Sequence, residues 1–170
     1  MADTDILESR PEGFRRVSAA LAALAHPHRP LWLDVAARTA QEAADALGVA
    51  LGQIAKSVVF RRKLDDGAVL VITSGDKRVD EAKLKAHTGA LGRADADFVK
   101  ARTGFSIGGV SPTGFAPADG AKPPQLFIDR ELFRFDLIWA AAGHPNGVFK
   151  LTPQELQRLT GAPVIDVVQS

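Results

Sequence analysis

The sequence predicts a single α+β domain whose mixed β-sheet is flanked by helices. Two observations carry this expectation. Short apolar, β-branched segments outnumber amphipathic ones, and several of those strand-like segments follow one another directly, which suits a mixed sheet better than a doubly wound parallel one. The 170 residues fit one domain able to bury a sizeable core, and no repeat, low-complexity tract or domain boundary interrupts residues 1–170.

Taken in order, Phe14 to His26 reads as a helix, with Phe14, Val17, Leu21 and Leu24 at spacings of three and four. Pro27 and Pro30 close it. Thr39-Ala40-Gln41-Glu42 is a capping box and Gly48 a stop, which predicts a helix over Ala40 to Leu47. Ser57 to Phe60 and Ala68 to Thr73 read as strands, and the charged segment ending in Asp66-Gly67 joins them as a hairpin signal. Val79 to His87 and Asp95 to Arg102 look helical, each followed by a glycine. Ser106 to Pro124, with four glycines and four prolines, has the composition of an ordered loop, and a loop of this length is usually functional or mobile. Gln125 to Asp129, Leu137 to Ala142 and Phe149 to Leu151 read as strands. Thr152-Pro153-Gln154-Glu155 is a second capping box with proline at the first helical position, opening a helix over Glu155 to Leu159; Val164 to Val168 is a last strand.

Composition excludes several classes. With no cysteine, disulfides, thiolate metal sites and a cysteine nucleophile are all ruled out. No apolar run approaches the roughly 20 residues that span a bilayer, and Met1 to Glu8 has no basic region leading into an apolar stretch. A cytoplasmic protein with no membrane partner is the expectation. Net charge is only +1, low for a nonspecific duplex binder, and no recognition helix or basic ribbon is visible, so DNA is not expected as a partner. Basic residues do concentrate between Arg61 and Arg102, either as a solvated mixed surface or as a phosphate-contacting face, of which Arg61 and Lys77 are the candidate contacts. The four histidines show no metal-ligand spacing and no carboxylate cluster accompanies them, so neither metal nor cofactor is expected.

Three segments could carry chemistry. In Gln53 to Phe60, Lys56 lies where an apolar strand begins; it either snorkels from the strand end or supplies a fixed positive charge inside a cleft. Gly108-Gly109-Val110-Ser111-Pro112 either turns the chain or lets its backbone approach a ligand closely. It matches neither GxGxxG nor the P-loop. In Gly143-His144-Pro145-Asn146-Gly147, His144 and Asn146 could grip a polar substrate group, against a plain turn as the alternative.

Taken together these segments resemble the YbaK/ProX family of aminoacyl-tRNA editing domains, which also occurs as an insertion in bacterial prolyl-tRNA synthetases. The resemblance runs from about Thr39 to Val168 through Thr39 to Val49, Gln53 to Phe60, Gly104 to Gly114, Phe127-Ile128-Asp129, Ala142-Gly143 and Leu151 to Leu156. It implies a curved, barrel-like mixed sheet and hydrolysis of the ester joining a noncognate amino acid to the tRNA 3′ adenosine. It also implies that Lys56 is the key site residue and that Gly108 to Pro112, the family's GxxxP loop, positions substrate through its backbone. Gly108 and Pro112 are thus grouped with Lys56 as catalytic, Gly109, Val110 and Ser111 as substrate-binding. The loop from Gly143 onward, with His144 and Asn146, closes the other side. An ester carbonyl gains negative charge as water attacks, which a lysine and backbone N–H groups can stabilise. No strong general base is visible, in keeping with a mechanism in which the tRNA's own terminal hydroxyl helps activate water. Cysteine-specific relatives carry a more basic closing loop than Gly143-His144-Pro145-Asn146-Gly147, which favours alanine, serine, threonine or another small residue as the amino acid removed. The implied partners are a mischarged tRNA and, further, an aminoacyl-tRNA synthetase. Competing functions are a noncatalytic tRNA- or synthetase-binding module, which would not need Lys56, and a hydrolase of small free esters, which would not need the basic face.

Overall fold

The computed structural model describes residues 7–170; the first six residues of the N-terminal segment discussed above lie outside the described residues. Six of the elements are α1 (Glu12–Ala23), β1 (Leu31–Trp32), α2 (Ala40–Leu47), β2 (Ile54–Arg62), β3 (Ala68–Ser74) and α3 (Glu81–Thr88). They are followed by β4 (Leu91–Arg93), α4 (Ala96–Thr103), β5 (Gln125–Asp129), β6 (Ile138–Ala141), β7 (Gly147–Leu151), α5 (Pro153–Thr160) and β8 (Val164–Ile165). Single 3-10 turns occupy Leu51–Gln53 and Arg130–Arg134.

All eight strands join one mixed sheet in the order β1-β7-β6-β2-β3-β5-β8, with β4 paired to β2 off this path. Pairs β2–β6, β3–β5 and β5–β8 are parallel; β1–β7, β6–β7, β2–β3 and β2–β4 are antiparallel. The expected α+β class with a mixed sheet is what forms, but the sheet stays open, because its two end strands, β1 and β8, do not pair with each other.

β3 is buried along its whole length, and alternation sends its side chains to two different cores. On one face Leu70 and Ile72 pack with Phe14, Val17 and Leu21 of α1, with Phe105, and with Leu156 of α5. On the other, Val69 and Val71 meet Leu84 of α3, Leu91, Phe127 and Val167. A third, smaller cluster lies under α2, where Ala43 and Ala44 cover Ile54. Each fully buried valine or leucine contributes roughly 1.5–3 kcal/mol, so the centre of the sheet is firmly anchored.

Both capping boxes form: Thr39 accepts from the Glu42 N–H at 3.1 Å and Thr152 from the Glu155 N–H at 3.0 Å. The third helix starts at Glu81 and not at Val79, since Asp80 caps it through Ala82 and Lys83 while Val79 bridges Val168. The first helix ends at Ala23, before the prolines, with Ala25 in the left-handed region and the His26 N–H returning to the Leu21 carbonyl. β1 and β4, two and three residues long, were not predicted.

Candidate functional site

β2 floors a cleft of about 400 Å³, within the roughly 300–1,000 Å³ typical of small-ligand sites. Its walls come from Arg38, Thr39, Ala40 and Ala43 at the start of α2, from Trp139 to Ala141 of β6, and from Ile107, Gly108 and Val110 of the glycine-rich loop. The lining is mostly apolar, with Lys56 as its single lysine.

Lys56 stands opposite Thr73 in the β2–β3 hairpin, half-buried, with no direct hydrogen bond or ion pair to any described residue. Burial pushes its ammonium below the ordinary lysine value; the Asp76 carboxylate acts against that shift and the Arg78 guanidinium adds to it. Asp76 is itself held by Arg134 in a 2.8 Å ion pair, and that contact keeps its carboxyl below the usual range. Two further polar groups of the lining are buried without a partner: the Ser57 hydroxyl and the Trp139 indole N–H. Unpaired buried polar groups are costly, roughly 1–3 kcal/mol each, and two of the four found among the described residues line this cleft; the other two are on His26 and Thr73.

The sequence-derived site residues divide between two places. Lys56, Gly108 and Val110 line the cleft. Gly108 has φ +93°, a conformation that glycine adopts without strain, and it packs against the Arg38 side chain. Ser111 and Pro112 are buried behind the wall, where the Ser111 hydroxyl accepts from the Thr113 N–H at 3.2 Å. Gly109, Gly143 and His144 line a smaller cavity of about 180 Å³ beside the start of α1. The His144 ring stacks on Trp32, centroids 4.8 Å apart, and its Nδ1 accepts from the Asn146 N–H at 3.1 Å, which leaves the other ring nitrogen as the N–H. Burial, helped by Arg38, lowers the His144 pKa and so favours the neutral ring. Asn146 donates its side-chain amide to the Leu33 carbonyl at 2.9 Å and accepts from the Leu33 N–H, so it fastens the segment after β1. Arg61 is turned onto Asp66 of its own hairpin at 2.8 Å, and Lys77 is half-buried next to Asp76. Among the described residues, no group of three or more His, Asp or Glu could hold a metal ion.

Sequence reasoning missed Arg38, Ser57 and Trp139 as parts of the cleft. Two of them carried a signal: Ser57 is the one polar residue between Lys56 and Arg61, and Trp139 is one of two tryptophans in the chain.

The model of the aminoacyl-tRNA editing domain family matches residues 34–159. The chain belongs to that family. The uncharacterised protein YwhH of Bacillus subtilis is 35% identical over 136 residues, 79% of this chain and 83% of its own length. Proline–tRNA ligase of Kosmotoga olearia is 40% identical over 79 residues, which span 45% of this chain and 13% of the ligase. Among solved structures, a protein proposed as a trans-editing enzyme for prolyl tRNA synthetase superposes on this editing domain with a TM-score of 0.85 at 38% identity, covering 95% of this chain and all of that one. Hypothetical protein APE2540 does so with a TM-score of 0.81 at 30% identity, over 91% of this chain and 99% of its own. No helix among the described residues is long and apolar enough to cross a membrane.

Proposed function

We propose that this editing domain acts in trans as a deacylase in the cytoplasm, hydrolysing the ester of a mischarged tRNA that carries a small noncognate amino acid. The observation that carries this reading is Lys56: a cation without a direct partner in an apolar cleft large enough for an aminoacylated sugar. Burial lowers its pKa and thins the water that would screen its ammonium, so an anionic or partially anionic group beside it is stabilised more strongly than in water. The ester carbonyl becomes such a group as water attacks, while Gly108 and Val110 bring backbone and a small apolar surface to the opposite wall. Among the described residues no carboxylate or histidine lines the cleft, in keeping with water activated by the terminal hydroxyl of the tRNA.

Arg61 and Lys77 are proposed contacts to the tRNA, joined by Arg38 at the cleft mouth, which is exposed and has no acidic partner among the described residues. Likeness to proline–tRNA ligases supports a tRNA substrate and a synthetase as functional partner. A panel of mischarged tRNAs tests the proposal. Alanyl-, seryl- or threonyl-tRNA should lose its amino acid in the presence of the protein, while correctly charged tRNAs persist. Stability of the whole panel over the blank would refute it.

A further inference from the structure

β2 is paired along both edges except in one place. On the β6 side the ladder stops at Ala55–Ala140, and on the β4 side it begins at Phe60–Arg93, so residues 56–59 present an unpaired edge. The antiparallel alternation says which backbone groups face the gap. The Arg62 N–H bonds to the Gly67 carbonyl across the β2–β3 hairpin, so Arg62, Phe60, Val58 and Lys56 direct their main-chain groups to β3. The Lys63 N–H bonds to the Ala90 carbonyl on the other side, so the odd-numbered residues face outward. Ser57 is therefore the residue in mid-gap whose N–H and C=O both point into the cleft, and its buried hydroxyl also lacks a partner.

A sheet edge accepts any group that offers an N–H and a C=O on one Cα. An aminoacyl ester has that pair: an α-ammonium and an ester carbonyl. We infer that the unpaired edge of β2 at Ser57 is the subsite for the main-chain part of the aminoacyl group, which docks as a one-residue strand. The α-ammonium donates to the Ser57 carbonyl and the Ser57 N–H donates to the ester carbonyl, so that one backbone donor joins Lys56 at the oxygen that turns anionic. A residue in such a hydrogen-bonded pair places its side chain on the same face as its partner's. That face carries Ser57, Val59, Val99 and Val110, so a small side chain meets apolar walls and one hydroxyl. Lys56 projects from the opposite face and stays clear of it.

This rests on the deacylase function proposed above, and amide hydrogen exchange separates the two. In the free protein the Ser57 amide should exchange fast and the neighbouring Val58 amide, bonded to β3, slowly. Saturation with a non-hydrolysable mimic, 3′-alanylamino-3′-deoxyadenosine, should slow Ser57 at least tenfold. The mimic with a hydroxyl in place of the α-amine should bind at least tenfold more weakly. Resonance shifts at Lys56 and Gly108 without any slowing at Ser57, or equal affinity of the two mimics, would overturn the docking mode and leave the deacylase proposal standing. No resonance shift at any cleft residue would overturn both.

Discussion

Gly109 and His144 lie backbone against backbone: a methyl group added at Gly109 would meet the Cα of His144 at 2.8 Å and its N and C atoms at 2.9 Å. The glycine-rich loop and the closing loop are therefore one braced unit, although the closing loop borders the cleft only through Gly147. Gly109→Ala should force the loops apart, costing about 1–3 kcal/mol as overpacking does and lowering deacylation of every substrate. His144→Ala keeps the backbone that Gly109 packs on and loses only the stack on Trp32, so its effect should be smaller and should fall on preference among small amino acids. Melting temperatures and rates on alanyl-, seryl- and threonyl-tRNA check both. A silent Gly109→Ala would show that the brace is unimportant.

Gly108→Ala is expected to act at the cleft itself. At φ +93° an added Cβ is strained whatever the space, by roughly 1–3 kcal/mol, and it would press on Arg38 at 3.3 Å. Activity should fall on all small aminoacyl-tRNAs together while the fold persists. Crystals of the variant with an unmoved loop and full activity would count against the loop as a wall.

The charge state of Lys56 should set an alkaline limit on the proposed deacylation. If its ammonium is needed, the enzymatic rate above blank falls as pH rises through a pKa lower than the 10.5 of a free lysine. Asp76→Asn removes the group that holds this pKa up and should move the limit to lower pH; Arg78→Ala removes one that depresses it and should move the limit to higher pH. Shifts of both variants in one direction would break the assignment. The same depression means that the fold disfavours the charged form. Lys56 therefore detracts from stability below its folded pKa, and the penalty fades as pH rises from there towards 10.5. Lys56→Met should accordingly melt no lower than the parent at pH 7.

Much of this was legible in the sequence. The capping boxes at Thr39 and Thr152 are local hydrogen-bond arrangements, so their helices form where local chemistry puts them. Lys56 and Gly108 stood out because a lysine beside an apolar strand and paired glycines are unusual locally. The two-residue β1 was not legible, since Leu31 and Trp32 become a strand only through Val148 and Gly147, more than a hundred residues away. Nor was the role of Asn146, whose turn chemistry was plain but whose partner Leu33 was not. The unpaired edge at Ser57 depends on where two other strands stop, which no local pattern encodes.

The basic stretch is less uniform than its sequence. Arg61 and Arg62 face Asp66 and Asp65 of their own hairpin, and Lys83 faces Asp166, whereas Arg38 pairs with no acid among the described residues. Arg38→Ala should thus weaken tRNA binding more than Arg61→Ala, with Lys77→Ala also weakening it, and each effect should shrink as salt rises. For a single-stranded 3′ end, one lost phosphate contact lowers the slope of log affinity against log salt by about 0.7. Equal slopes for Arg38→Ala and the parent would remove Arg38 from the interface.

The central claim is that Lys56 in the β2 cleft carries deacylation. Single-turnover hydrolysis of the best mischarged tRNA, followed with parent and Lys56→Ala at equal tRNA occupancy, tests it most directly. The expected result is a fall in rate of at least a hundredfold, about 2.7 kcal/mol of lost stabilisation, with an unchanged melting profile and near-normal tRNA affinity. A Lys56→Ala protein that folds, binds tRNA and deacylates at the parental rate would contradict it.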